Sequence, residues 1–393
     1  MSMTKWLCVF PEVFIFKSDS KLLFFNSKNK QIFSVHKDDT LEKMYNFLQE
    51  PSNTYVVELN DELCNKYSEL LEKVEAMQMG KVVTASYDSR PLSYPPVLKL
   101  EKDLSRIRNE YKQNKAGDIL NYFRELTIYL SGDINNGYIH KQTIYPLLPS
   151  SLTVDNELLS NFLKTLEFCP VNFVNIVISS IDDIGNYHNI FQYLIEKKYN
   201  VRLFLKAELY QQIKEQLNML NLYEIVLVST LDEYQKSYLQ IKENKVKFNI
   251  LIESDIELSR VEEFLSNSNT EIVPIFNNNS QFFEKEVYNR LDDITQCGKK
   301  EILAKTVINH NYYGKFTVFP NGHIYSNVNI PPLGNISEQI YELIYKELDG
   351  QRAWLLTRDA VEPCKDCVYK YLCPSISNYE YACGKFNLCY MAQ

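Results

Sequence analysis

Cys364, Cys367, Cys373, Cys383 and Cys389 fall within the last thirty residues of a 393-residue chain that carries nine cysteines in all. The core of the group reads Cys364-x2-Cys367-x5-Cys373, and the other two follow in one short segment. A CxxC pair sets two thiolates on one tight turn, close enough to grip a single metal centre. A third thiolate six residues on and a fourth from a later turn complete a four-thiolate cage. Spacing alone admits either structural zinc or a [4Fe–4S] cluster, because both take four thiolates. The fourth ligand is Cys389 or Cys383. The four scattered cysteines, Cys8, Cys64, Cys169 and Cys297, read as small buried apolar residues.

Other chemistry-bearing residues form weaker patterns. His140, His310 and His323 are isolated in the sequence and read as surface or satisfied polar residues. Asp182 with Asp183, and Glu253 with Asp255, follow strand-like runs. Paired carboxylates there suit acid–base work, but they suit helix capping better. No GxGxxG or GxxxxGK[ST] occurs, so no nucleotide-phosphate loop is expected.

The net charge of −8 and the lack of a long basic stripe exclude a general nucleic-acid binder. The apolar start Trp6-Leu7-Cys8-Val9-Phe10 is cut short by Pro11 and Glu12, unlike a secretory signal. No run is long enough to span a bilayer. The expectation is a soluble, cytoplasmic protein without membrane partners, where clustered cysteines favour metal over disulfide.

The elements that must position the cysteines divide into four stretches. Residues 1–85 read as a small hairpin-plus-helices unit, winged-helix-like. Glu12–Lys17 and Leu22–Asn26 are strands split by a turn signal, and Gln31–Val35 is a third. Thr40 caps a helix bearing Leu41, Met44, Tyr45 and Leu48. Tyr55–Leu59 is a strand, and Asn60 caps a helix from Asp61 to Met79. The expected hairpin edge, Leu22, Leu23, Phe24, Phe25 and Asn26, is a candidate for pairing with an added peptide strand. Residues 86–120 are a Pro-containing linker or adaptor. Residues 121–300 alternate strand and helix: strands at Leu126–Leu130, Phe173–Ser179, Val201–Lys206, Glu224–Val228, Phe248–Ile252 and Glu271–Ile275. Near-continuous apolar strands between amphipathic helices predict an α/β fold, a parallel sheet forming a partial (β/α) barrel. Residues 301–393 hold a hairpin, Phe316–Phe319, Pro320-Asn321-Gly322 and His323–Tyr325, and then the cysteines.

That hairpin followed by Cys-x2-Cys-x5-Cys and a later Cys resembles the SPASM domain, the iron–sulfur extension of many radical S-adenosylmethionine peptide-modifying enzymes. The resemblance implies one auxiliary [4Fe–4S] cluster on Cys364, Cys367, Cys373 and Cys389. The closing Asn387-Leu388-Cys389 favours Cys389 over Cys383. A second auxiliary cluster would need cysteines where this chain has Asn327 and Ser377, and is not expected. The preceding partial barrel is similar to a radical SAM domain with its chemistry removed. Its cluster needs Cys-x3-Cys-x2-Cys after the first strand, and this chain has no cysteine between Cys64 and Cys169. A Gly-Gly-Glu strand end is missing too, Ser180-Ile181-Asp182-Asp183 standing in its place. No S-adenosylmethionine is expected to bind.

The segments Cys364–Glu380 and Gly384–Cys389, with the opening Trp6-Leu7 and Phe14–Phe16, resemble the pseudo-radical-SAM proteins of Bacteroidales-type peptide-maturation systems. That resemblance implies an accessory or scaffold role beside a ribosomally made precursor peptide with a Gly-Gly leader, and beside an active radical SAM maturase. A redox protein passing electrons through the tail cluster, and a zinc-stapled binding protein, are the competing expectations.

Overall fold

The computed structural model describes residues 3–96, 104–113, 117–134, 141–238, 241, 245–262 and 269–391. Two three-stranded antiparallel sheets build the N-terminal unit. Strands β1 (Thr4–Val9), β2 (Val13–Lys17), β3 (Lys21–Asn26), β4 (Ile32–His36), β5 (Val56–Leu59) and β6 (Gly80–Ala85) are ordered β5-β1-β6 and β2-β3-β4. β1 and β6 were not anticipated from the sequence.

The supposed hairpin edge is instead the middle of a sheet. β3 pairs with β2 on one side and β4 on the other, so Leu22–Asn26 have no free edge to offer a peptide. The physical reason lies in the apolar run itself. Leu22 and Phe24 face the core of the N-terminal unit, while Leu23 and Phe25 face a second core shared with the C-terminal tail. A strand buried on both faces is a central strand. Among the described residues β2 and β4 each pair on one side only and are the two outer strands; β2 is almost wholly buried, whereas β4 is partly exposed.

The first helix, Asp39–Gln49, is capped by Asp38 rather than Thr40. The Asp38 carboxylate accepts from Leu41 N at 2.8 Å, and Thr40 sits inside the first turn. Asn60 caps the next helix as expected, but that helix ends at Lys66 and a second begins at Ser68.

The large sheet adds β7 (Glu125–Tyr129), the short hairpin β8 (Ser131–Asp133) and β9 (Leu148–Thr153), then β10 (Phe173–Val177), β11 (Asn200–Lys206), β12 (Glu224–Thr230), β13 (Val246–Ile252) and β14 (Thr270–Pro274). The last three strands are β15 (Lys315–Val318), β16 (His323–Tyr325) and β17 (Gly334–Asn335). Their order is β14-β13-β12-β11-β10-β7-β15-β16-β17, with β8 and β9 paired apart. All six expected strands are present, parallel and in sequence. β15 lies parallel on the free side of β7, so the sheet runs across the expected boundary at residue 300. The fold is therefore a mixed α/β architecture around one open, largely parallel nine-stranded sheet.

Alternation along each strand sorts side chains to two faces. Leu126, Ile128, Ile176 and Leu203 pack under the helices, in the main core. Tyr129, Val177, Phe204, Val226 and Val273 point to the opposite, concave face. That face is covered by a strap. Leu147, with Ile144 and Tyr145 beside it, packs onto the apolar cluster, and Gln142 clamps the strap by a two-way amide pair with Phe276: Nε2 to O at 3.0 Å and N to Oε1 at 2.8 Å. Gly132, at φ +119°, makes room for the strap, since a Cβ there would lie 2.4 Å from Leu147 Cβ.

Among the described residues, no helix is long and apolar enough to cross a membrane. The tail continues through the helix Ile340–Asp349, an irregular cysteine-bearing segment and the helix Asn378–Cys383. Phe14, Phe16, Leu23 and Phe25 of the first unit pack with Ile302, Val368, Leu372 and Cys373 of the tail, joining the two ends of the chain in one core.

Candidate metal centre

Cys364 opens a single 3-10 turn, and Cys367 N closes it by donating to Cys364 O at 3.0 Å. This places the CxxC pair on one tight loop. A second turn brings Cys373 back, its N–H donating to Tyr369 O at 3.1 Å. Cys389 arrives from the end of the chain, held beside Asn289 by an isolated parallel bridge. Cys364, Cys367, Cys373 and Cys389 line one small cavity together with Arg358 and Lys370. Cys383 does not line it; it ends the last helix, where its thiol is pushed up to about 11 by burial. Both alternatives for the fourth ligand are thereby separated in space.

Among the described residues, no group of three or more His, Cys, Asp or Glu side chains stands where it could hold one metal ion. The four thiols line one common space, and a structural zinc and a [4Fe–4S] cluster both take four thiolates.

The cavity wall holds a buried ion pair whose pairing no spacing pattern in the sequence marks. Arg358 Nη1 donates to Cys364 Sγ at 3.4 Å and to Phe386 O at 2.8 Å. Its Nε donates to Pro374 O at 2.6 Å, and its Nη2 meets Glu380 Oε1 at 2.7 Å. Both side chains are almost wholly buried, at 6% and 3% exposure, which only a well-paired charge tolerates. Glu380 also takes part in a capping box with Ser377 at the start of the last helix. That Ser-x-x-Glu spacing is the one trace of the pair legible in sequence.

Burial raises the Cys364 and Cys367 thiols and pushes Cys373 up to about 12. The Arg358 charge opposes the rise at all three, and the Tyr369 N–H opposes it at Cys367. A thiophilic centre binding here displaces protons from sulfur. The donor set, four thiols around one guanidinium, fits a four-thiolate iron–sulfur group.

The other marked residues have structural partners. Asp183 Oδ2 accepts from Ser131 Oγ at 2.6 Å, Ser179 N at 2.9 Å and Ser180 N at 3.0 Å. Asp255 pairs with Lys285, and Glu253 accepts from Asn277. The His310 N–H donates to Ser375, and His323 sits beside Asn321. His140 lies outside the described residues. Asn327 and Ser377 line a cavity of about 300 Å³ together with Thr127 and Tyr129 of β7 and Gln142 and Ile144 of the strap.

No protein-family model and no curated protein matches the chain. Three solved structures of Streptococcus suis SuiB overlap with it loosely. SuiB bound to S-adenosylmethionine is 15% identical with a TM-score of 0.37, and SuiB bound to the precursor peptide SuiA is 14% identical with a TM-score of 0.40. A further SuiB structure is 12% identical with a TM-score of 0.37, and each overlap covers 93% of this chain and 94% of SuiB. Overlaps this loose leave the architecture resting on the strand order and register of the chain itself.

Proposed function

We propose that this protein is a catalytically degenerate, radical-SAM-like accessory or scaffold in the maturation of a ribosomally synthesised peptide. Its SPASM-like tail would carry one [4Fe–4S] cluster on Cys364, Cys367, Cys373 and Cys389. The observation that carries the reading is the gathering of these four thiols around one cavity, the last drawn in from the end of the chain. When bound, the cluster supplies a one-electron centre or a rigid cross-link. The chain's own residues would hold it: the two turns orient three sulfurs, Asn289 fixes the segment that carries the fourth, and Cys364 and Cys373 are buried.

The accessory role is supported by the strap-covered face of the sheet. Where a barrel enzyme keeps its chemistry, at the carboxyl ends of the strands, Val177, Phe204 and Val228 are apolar and buried, and the cavity left beside β7 under the strap is lined by Thr127, Gln142, Asn327 and Ser377 and by no cysteine. The carboxylates nearby have structural partners: Asp183 holds the Ser179 and Ser180 N–H groups, Glu253 accepts from Asn277 and Asp255 pairs with Lys285. A precursor peptide with a Gly-Gly leader is the proposed partner of the N-terminal winged-helix-like unit. With β3 paired on both sides and β2 buried, the more exposed outer strand β4 is where its strand would add, extending the sheet by main-chain hydrogen bonds. An active radical SAM maturase would supply the chemistry.

The test is anaerobic purification followed by iron, sulfide and zinc assays on wild type, Cys389→Ser and Cys383→Ser. About four iron and four sulfide per chain, lost in Cys389→Ser and kept in Cys383→Ser, is the expected result. One zinc without sulfide overturns the cluster. Cleavage of S-adenosylmethionine by the reconstituted protein overturns the accessory role.

A further inference from the structure

We propose that the buried Arg358–Glu380 pair sets the reduction potential of the tail cluster, Arg358 raising it and Glu380 restraining the rise. This rests on the four-thiolate cluster proposed above. Reduction adds an electron to a centre that four thiolates already make negative. A hydrogen bond or positive charge at a ligand sulfur stabilises the reduced form, and burial strengthens the effect. Arg358 presents both to Cys364 at 3.4 Å from a site almost closed to water.

Geometry separates the two members of the pair. Nη1 faces the sulfur, while Nη2 faces Glu380. The carboxylate is thus one guanidinium further out, partly neutralising the charge that the sulfur feels. The cavity's other cation is placed differently. The Lys370 ammonium is bound to Asp359 at 2.9 Å and to Lys365 O at 2.7 Å, and Lys370 meets a cysteine only through its backbone N–H, which donates to Cys367 O at 3.4 Å. A plain cross-link would need no charge at the sulfur, because Arg358's bonds to Pro374 O and Phe386 O already tie the tail segments together.

The test measures the midpoint potential of the cluster by redox titration followed by electron paramagnetic resonance, with iron content alongside. The variants are Arg358→Gln, Arg358→Lys and Glu380→Gln. Arg358→Gln is expected to make one-electron reduction at least tenfold less favourable, a drop of ~59 mV. Arg358→Lys should recover part of that loss by keeping the charge. Glu380→Gln should move the potential the opposite way. If Arg358→Gln loses its iron, the Glu380→Gln shift decides alone. Unchanged potentials in iron-loaded variants overturn the inference and leave the cluster standing. A wild type holding zinc, or no sulfide, overturns both.

Discussion

Asn289 brackets Cys389 from both sides of its peptide unit. The Asn289 N–H donates to Leu388 O at 3.0 Å, Tyr390 N donates to Asn289 O at 3.2 Å, and Asn289 Nδ2 reaches Leu388 O at 3.1 Å. A hundred residues of sequence separate the partners, so the fourth thiol is positioned by the end of the α/β sheet region rather than by the tail alone. Asn289→Ala removes only the side-chain bond. It should cost about 1 kcal/mol and speed the release of iron to a chelator, with the far-ultraviolet circular dichroism unchanged.

Glu347 is fully buried against Trp354, whose N–H donates to its Oε1 at 2.8 Å. Burial raises its carboxyl above the ordinary range, partly offset by Ser326 and the Trp354 N–H. A raised carboxyl favours the folded state at pH below the ordinary value, about 4, and loses that advantage as pH rises through the folded value. Glu347→Gln should therefore raise the melting temperature at pH 8, with the gain shrinking towards pH 4.

Asp38 has the opposite sign. The Leu41 N–H, with smaller help from Lys66 and Tyr67, holds it down at about 2. Its stabilisation is present above the ordinary carboxyl value and is lost as pH falls towards 2. Asp38→Ala should destabilise the protein by about 1 kcal/mol at pH 7 through loss of the cap. Asp38→Asn should keep the cap and flatten the acid limb of a urea-melt series between pH 5 and pH 2.

Gly132 is the point where the strap meets β8. An added Cβ meets Leu147 Cβ, and the positive φ disfavours any L side chain. Gly132→Ala should cost roughly 1–3 kcal/mol and accelerate proteolysis within residues 141–147, read by mass spectrometry.

The sheet was legible because its strands are apolar on both faces and its helices amphipathic. Period and length therefore agreed at each element from Phe173–Val177 to Thr270–Pro274. The N-terminal pairing was not legible for the same reason. The run Leu22–Phe25 announces burial but not which neighbours supply it, and one of its faces is covered by residues near Leu372. Asp38 and Thr40 are both good capping types two residues apart, and only backbone geometry chooses between them. At the candidate site the thiols were marked by spacing. Arg358 carries no spacing signal, since its partners Cys364, Pro374, Glu380 and Phe386 are gathered by the coil of the tail.

The shared core of Phe14, Phe16, Leu372 and Cys373 has a consequence for biosynthesis. The first unit leaves the ribosome with one aromatic face finished and the other bare. The residues that cover it, from Ile294 to Cys373, are translated roughly 270 to 360 positions later, on the order of half a minute at ordinary elongation rates. Until then Phe14, Phe16 and Phe25 lack the residues that bury them, so that face of the first unit can be completed only once the tail has been made.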